Sequence, residues 1–173
     1  AREWDRGTME QLAATPVHRV EVILGKLLPY LAIGLIDVIA AIVIGRLLFH
    51  VPFRGSPVLL VGLATLFLVG SLGLGIFISA AAKSQLLATQ ISLLATYLPS
   101  LLLSGLIFDL ASMPLVLRTV SLVVPARYFI VVLRGIFLKG VGPEVLWIQG
   151  LAMIVFAVLG LTLAVHAFRK ELA

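Results

Sequence analysis

Cysteine is absent from this 173-residue sequence, and charged residues make up only 12% of it. Without cysteine the chain has neither a disulfide framework nor a metal site built on thiolates. A soluble domain carries roughly 25% charged residues, so the scarcity of charge, beside 61% hydrophobic residues, indicates a membrane protein. The net charge of +5 is dispersed, and no cluster of Lys and Arg interleaved with aromatics predicts binding to nucleic acid.

Motifs for nucleotide binding and catalysis are also missing. Gly25 and Lys26 are followed by Leu27 rather than Ser or Thr, and Val20 stands where a phosphate-binding loop has its first glycine. The histidines lack the spacing of metal ligands; they are His18, His50 and His166. We therefore expect no catalytic, cofactor-binding or metal-binding residue here. An active site at Asp109 and the neighbouring arginines is the remaining enzymatic alternative.

The first 20 residues are dense in charge of both signs, unlike the rest of the chain. Trp4, Thr8 and Leu12 follow one another at i, i+4 and i+8, which predicts a helix with a modest apolar stripe. Pro16 ends this pattern, because proline lacks the backbone N–H and clashes with the preceding turn. From its residues alone, segment 1–20 is either an amphipathic helix resting on lipid or a handle through which a soluble partner moves the membrane part.

Four apolar segments are each long enough to cross a bilayer core, which takes about 20 residues. We predict spans at 27–49, 58–82, 85–108 and 145–168, and four spans place both ends of the chain on one side. Pro99 lies inside the third span and predicts a kink. In the second span, a line of small residues favours close approach of another helix; it consists of Ser71, Gly75 and Ser79.

Segment 109–142, between the third and fourth spans, is apolar but repeatedly interrupted. Pro114 and Pro125 break its helical pattern, and cations recur along it. No run in it is long enough to span, so the pattern is typical of interfacial or re-entrant helices. The sequence thus predicts an all-α integral membrane protein. From the residues we expect four transmembrane helices, an N-terminal amphipathic helix and short interfacial or re-entrant helices in segment 109–142.

Asp37 is an acidic residue near the middle of the first predicted span. A carboxylate at the bilayer centre costs at least about 2.5 kcal/mol on a lone helix, so we expect it to face protein rather than lipid. Gly34, Ala41 and Gly45 share its helical face. Asp37 serves either in a structural hydrogen bond between helices or as the ion carrier of a secondary transporter.

Polar side chains recur along one face of the third span, at spacings of three and four residues. They are Gln85, Thr89, Ser92, Thr96, Ser100 and Ser104, and we call them the hydroxyl stripe. On one interpretation each hydroxyl bonds the carbonyl one turn back and eases helix packing. On the other, the stripe lines the transport path between two halves of a transporter.

Several short motifs follow one another along the chain. They are Glu3-Trp4-Asp5-Arg6-Gly7-Thr8-Met9-Glu10-Gln11-Leu12, Thr15-Pro16, Gly25-Lys26-Leu27-Leu28-Pro29-Tyr30, Leu103-Ser104-Gly105, Met113-Pro114, Pro125 with Tyr128, and Leu133-Arg134-Gly135. In this order and spacing they resemble the ABC type-2 export permease family, and together they cover most of the chain.

The resemblance implies six spans per subunit, with the last four present here. The first two spans, and the extracytoplasmic segment between them, would belong to a longer polypeptide. The opening stretch would be a cytoplasmic amphipathic coupling helix that docks on a separate ABC ATPase subunit through Glu3, Trp4, Arg6, Thr8, Glu10 and Leu12. Segment 109–142 would form an outer re-entrant helical hairpin, a pair of short helices marked by Met113, Pro114, Pro125, Tyr128 and Arg134.

On the same resemblance, the chain is a multi-pass permease of an ATP-driven exporter in the bacterial inner membrane. It would pair with a second permease half, of the same or a different sequence. ATP and Mg²⁺ would act in the partner ATPase, since this chain lacks a phosphate-binding loop. An ion-coupled secondary transporter using Asp37 is the first alternative, and a membrane enzyme is the second. No residue indicates the transported substrate.

Overall fold

The computed structural model describes residues 19–82 and 84–170, and within them the chain is helical with no strand. The α-helices there are α1 Arg19–Leu47, α2 Pro57–Ala82, α3 Gln85–Ser92, α4 Leu98–Leu103, α5 Leu115–Val120, α6 Pro125–Arg134 and α7 Pro143–Lys170. Four described segments are long and apolar enough to cross a membrane: Glu21–Leu47, Pro57–Ala82, Gln85–Leu103 and Pro143–Ala167. The predicted all-α fold with four spans is confirmed. Positions 1–18 of the predicted opening helix, 1–20, lie outside the described residues.

The first span differs from its predicted bounds of 27–49. α1 continues through Lys26 and Pro29 and ends at Leu47, because lysine is a good helix former and proline is tolerated in membrane helices. Beyond Leu47, His50 adopts the left-handed conformation with φ 51°, which reverses the chain towards α2. The second and fourth spans begin at the prolines that open α2 and α7, since proline is pre-organised for the first helical turn.

The third span is shorter and less regular than the predicted 85–108. A π-helical turn, Leu93–Tyr97, separates α3 from α4, and the Leu98 amide donates to the Leu93 carbonyl five residues back. This turn ends two residues before Pro99, whose ring would clash with the carbonyl of a tight α-helical turn. The span ends at Leu103 because Gly105 has φ +84°, a conformation that glycine adopts without steric cost.

α2 and α7 cross at close range through glycine. A Cβ on Gly73 would lie 2.5 Å from the carbonyl carbon of Gly160, and a Cβ on Gly160 would meet the carbonyl oxygen of Gly70. The sequence placed the line of small residues at Ser71, Gly75 and Ser79, but a Cβ on Gly75 would meet nothing within 4 Å. The contact with α7 therefore uses the neighbouring face of α2, and in the described part of the chain no helix approaches closely at Gly75.

A hydrophobic cluster holds α6 against the first turns of α2 and α7. It consists of Leu60, Leu63, Val132, Ile136 and Leu146. A second π-helical turn, Gly135–Lys139, follows α6, and two of its carbonyls accept bonds from the loop before α2. The amides donating those bonds are Arg54 N to Phe137 O (3.3 Å) and Gly55 N to Ile136 O (3.0 Å). We call this end of the bundle, where α1 ends and α2 and α7 begin, the hairpin end.

Candidate functional site

The residues predicted to dock on an ATPase lie outside the described part of the chain. Glu3, Trp4, Arg6, Thr8, Glu10 and Leu12 all belong to positions 1–18, so their role stays a prediction. α1 is the element that would receive a movement of this segment. It runs for 29 residues without interruption from Arg19, which at 1.5 Å per residue makes a rod of about 43 Å.

The chain bends sharply between α5 and α6, at the hairpin end. The helical stretches Leu115–Val123 and Pro125–Lys139 meet at an angle of 86°. Val124 between them is extended, with φ −82° and ψ 112°, because the residue before a proline is driven out of the helical region. Pro125 then occupies the first turn of α6, where its missing N–H leaves no bond unmade.

Three polar side chains fix this bend. Ser121 is fully buried, and its hydroxyl accepts from Arg127 Nη1 at 2.6 Å and donates to the Arg118 carbonyl at 2.7 Å. The Tyr128 hydroxyl donates to the Leu122 carbonyl at 2.9 Å. The carbonyls that the last turn of a helix leaves free are thereby satisfied. The sequence analysis named Tyr128 but did not predict a role for Ser121 and Arg127. Their position on either side of Pro125 is the one feature of the local sequence that could have indicated it.

The start of segment 109–142 follows from local capping. Asp109 Oδ1 accepts the Ala111 amide at 3.1 Å and starts a 3₁₀ turn, Leu110–Ser112. Met113 is extended and half-buried, and Pro114 precedes α5. These residues therefore set the direction of the chain at the start of this segment. Within residues 19–82 and 84–170, no three His, Cys, Asp or Glu side chains are grouped as metal ligands would be.

Arg134 joins α6 to the end of the third span. Its Nη2 donates to the Gly105 carbonyl at 2.8 Å, across 29 positions of sequence. Ser104 beside it is 2% exposed, and its hydroxyl accepts the Leu106 amide at 3.3 Å. The structure thus brings together two motifs, Leu103-Ser104-Gly105 and Leu133-Arg134-Gly135, that the sequence could only place separately.

The hydroxyl stripe is partly turned into the bundle. Ser92, Thr96 and Ser100 are half-buried, whereas Leu94 beside them is 64% exposed. Thr89 is exposed, and its hydroxyl donates to the Gln85 carbonyl at 2.9 Å, which is the bond expected of a packing role. Both interpretations of the stripe stay open.

Asp37 is exposed on α1, and within the described residues no hydrogen bond or ion pair engages it. Gly34, one turn before it, does face protein, because a Cβ there would lie 3.0 Å from Leu68 Cδ2 of α2. A protein partner for Asp37 would have to come from beyond the described residues or from another subunit. Its predicted burial therefore stays a prediction.

A cavity of about 450 Å³ lies between α1, α6 and the start of α2. Its lining is apolar except for one arginine: Val38, Ala41, Ile42, Val51, Leu60, Phe129, Leu133, Arg134, Phe137 and Leu138. This volume is in the range of small-molecule sites, 300–1,000 Å³. No prediction from the sequence anticipated it, because its walls come from segments about 90 residues apart.

Comparison with known proteins identifies several relatives. Residues 1–138 match the family described as ABC-2 type transporter. The chain is 43% identical over 164 residues to the probable multidrug ABC transporter permease YbhS of Escherichia coli strain K12, covering 94% of this chain and 44% of that protein. It is 29% identical over 175 residues to the inner membrane transport permease YhhJ of the same strain, covering 99% and 46%.

A more distant match is ABC transporter G family member 20 of Dictyostelium discoideum. It is 27% identical over 167 residues, which cover 95% of this chain and 23% of that protein. No solved structure matches the chain at a significant level. The chain spans less than half the length of each of these curated relatives.

Proposed function

The chain belongs to the ABC-2 type transporter family, and we propose that it is the membrane-spanning part of a permease that exports its substrate at the expense of ATP. The observation that carries the proposal is the 43% identity, over 94% of the chain, to a protein named as a multidrug ABC transporter permease. The protein is a multi-pass membrane protein of the bacterial inner membrane. ATP and Mg²⁺ would act in a partner ATPase, with a second permease half completing the transporter.

Coupling would begin in the segment before α1. ATP binding closes the ATPase subunits, and a helix docked on them moves with them. Because α1 stays helical over 29 residues, with Pro29 inside it, a displacement at its start would be carried towards the hairpin end as a tilt of the helix. Hinge and shear movements of this kind are common in switching proteins.

The hairpin would enter the membrane from the outer side and turn back. Its contacts with α2 support this, because Phe129 of α6 stacks on Phe67 at 4.6 Å and Val132 packs nearer the start of α2. Phe67 lies ten residues beyond Pro57, about 15 Å along the helix at 1.5 Å per residue. That is half of a hydrocarbon core of about 30 Å, so these contacts reach only mid-depth.

The transport path would run between the two permease halves, beside the hydroxyl stripe. A polar side to that path is supported by the part of the Ser92, Thr96 and Ser100 surface that stays outside the bundle, since all three are only half-buried. Cysteines at these positions should react with a water-soluble thiol reagent in a state-dependent way, and a cysteine at Leu94 should not. Equally low reactivity on both faces would reduce the stripe to helix packing.

Reversal of charge in the opening segment tests the proposal. The full-length permease, reconstituted in vesicles with its ATPase, should lose the link between ATP hydrolysis and transport when it carries Glu3→Lys and Glu10→Lys. The matched control is Glu144→Lys, an acidic residue in the first turn of α7 at the hairpin end, which should leave coupling unchanged. Normal coupling in the double variant would refute docking through this segment.

A further inference from the structure

The cavity at the hairpin end has a lining suited to a lipid chain. Val38, Ala41 and Ile42 form its wall on α1, with Phe129 and Phe137 opposite. Nine of its ten lining residues are apolar, and it opens to the surface of the bundle rather than being enclosed. A chain of methylene groups suits such a space, whereas a polar ligand would leave its own hydrogen bonds unmade there.

Three cations lie next to residues that line this cavity. Arg46 lies one turn beyond Ile42 on the same face of α1, because residues four apart are neighbours on a helix. Lys139 follows the lining residue Leu138. Arg54 lies beside the lining residue Phe137, because the Arg54 amide donates to the Phe137 carbonyl at 3.3 Å.

These three cations are not neutralised within the protein as described. No ion pair joins Arg46, Arg54 or Lys139 to a carboxylate in residues 19–82 and 84–170. Basic pockets between membrane helices bind the anionic headgroups of lipids, and each Lys or Arg near the membrane surface adds to the attraction. The charge next to the cavity is therefore complementary to a phosphate.

The depth of the site matches one leaflet of a bilayer. From Val38 to Arg46 the helix rises about 12 Å, close to the half-thickness of a hydrocarbon core, about 15 Å. An acyl chain lying along Val38, Ala41 and Ile42 would bring its headgroup to the level of the three cations.

We propose that the cavity binds an acyl chain of an anionic glycerophospholipid, with the headgroup phosphate held by Arg46, Arg54 and Lys139. The lipid comes from the leaflet at the hairpin end. It fills the space between α1 and α6, so it holds the first span against the hairpin. This goes beyond the proposed function and does not depend on an ATPase.

A photoreactive lipid tests this with the full-length permease in detergent. Phosphatidylglycerol carrying a diazirine midway along one acyl chain is titrated in mixed micelles, irradiated, and located by peptide mass spectrometry. Labelling should concentrate on 38–42 and 129–138 and should saturate at a lower mole fraction than with phosphatidylcholine. Equal labelling by the two lipids, or uniform labelling of the lipid-exposed faces of α1 and α7, would overturn the proposal.

Two kinds of variant test the contacts of the lipid headgroup and of the acyl chain separately. Arg54→Gln and Lys139→Gln should each raise the half-saturating mole fraction about fivefold, from the contribution typical of one cation. Arg118→Gln, on α5 and outside the cavity lining, should leave it unchanged. Ala41→Trp should abolish labelling at 129–138 by filling the cavity, with Val38→Phe as the second variant if Ala41→Trp does not fold. Saturable labelling that persists in a folded cavity-filling variant would contradict the site.

Discussion

Substitution of Gly160 by alanine should weaken the crossing of α2 and α7 that organises the bundle. The added Cβ would meet the carbonyl oxygen of Gly70 and lie 3.0 Å from its Cα. Both obstacles are backbone atoms, so no side chain can move aside and the two helices must separate. Since helix association in membranes rests on close packing rather than on the hydrophobic effect, this separation costs stability directly.

The expected change in the free energy of unfolding of Gly160→Ala is the sum of two opposing contributions. Overpacking in a close contact typically costs about 1–3 kcal/mol, and backbone obstacles place Gly160→Ala at the upper part, about 2–3 kcal/mol. Alanine in place of glycine within a helix gains up to about 1 kcal/mol. The net expectation is a destabilisation of about 1–2 kcal/mol.

Matched controls isolate the packing contribution. Gly75→Ala and Gly62→Ala lie on α2, where a Cβ would meet nothing within 4 Å, so they should show only the gain in helix propensity. The free energy of unfolding of the full-length permease, measured by titrating sodium dodecyl sulfate into mild detergent micelles, should therefore separate Gly160→Ala from both controls by about 2–3 kcal/mol. Agreement of the three variants within about 0.5 kcal/mol, the usual range of neutral surface substitutions, would refute the glycine crossing.

Three other outcomes follow from the hairpin and from α1. Cysteines at Ser112 and Lys139 should both be labelled from outside by an impermeant reagent, and labelling from opposite sides would instead make the hairpin a fifth span. Arg134→Gln should lower the free energy of unfolding by about 1–3 kcal/mol, because the buried Gly105 carbonyl loses a charged donor. Arg118→Gln, which changes an exposed arginine, is the control. Equal stability of the two variants would show that the bond from Arg134 to Gly105 does not stabilise the fold. Asp37→Asn should retain export, whereas loss of an ion-gradient dependence of transport in that variant would favour the secondary-transporter alternative.

The sequence predicted the features that depend on neighbouring residues alone. Apolar runs of about 20 residues mark the spans wherever the rest of the chain lies, and four such spans are confirmed. The breaks at Pro114 and Pro125 follow from the missing N–H and the restricted φ of proline. The motif order, with Leu103-Ser104-Gly105 before Leu133-Arg134-Gly135, was sufficient to predict the family.

Span ends and helix faces were predicted less well. The third span stops at Leu103 rather than at 108 because a glycine two residues later takes a positive φ, and a run of apolar residues does not reveal such a reversal. Likewise, Ser71, Gly75 and Ser79 met the spacing rule for a packing line, but the partner helix lies against Gly70 and Gly73. Spacing defines the faces of α2 that are small, and the position of α7 decides which face is used.

The candidate site was decided by tertiary structure. Arg134 meets the Gly105 carbonyl across 29 positions, and the cavity joins Val38 to Leu138 across the bundle. Such contacts depend on how distant segments pack, which no local pattern encodes. The sequence by itself determined that this chain consists of apolar helices long enough to span a membrane, with a segment between the third and fourth that prolines break. The tertiary structure decided the bond from Arg134 to Gly105, the close crossing of α2 and α7, and the cavity between α1 and α6. Each of these depends on two surfaces from distant parts of the sequence that meet only when the helices pack.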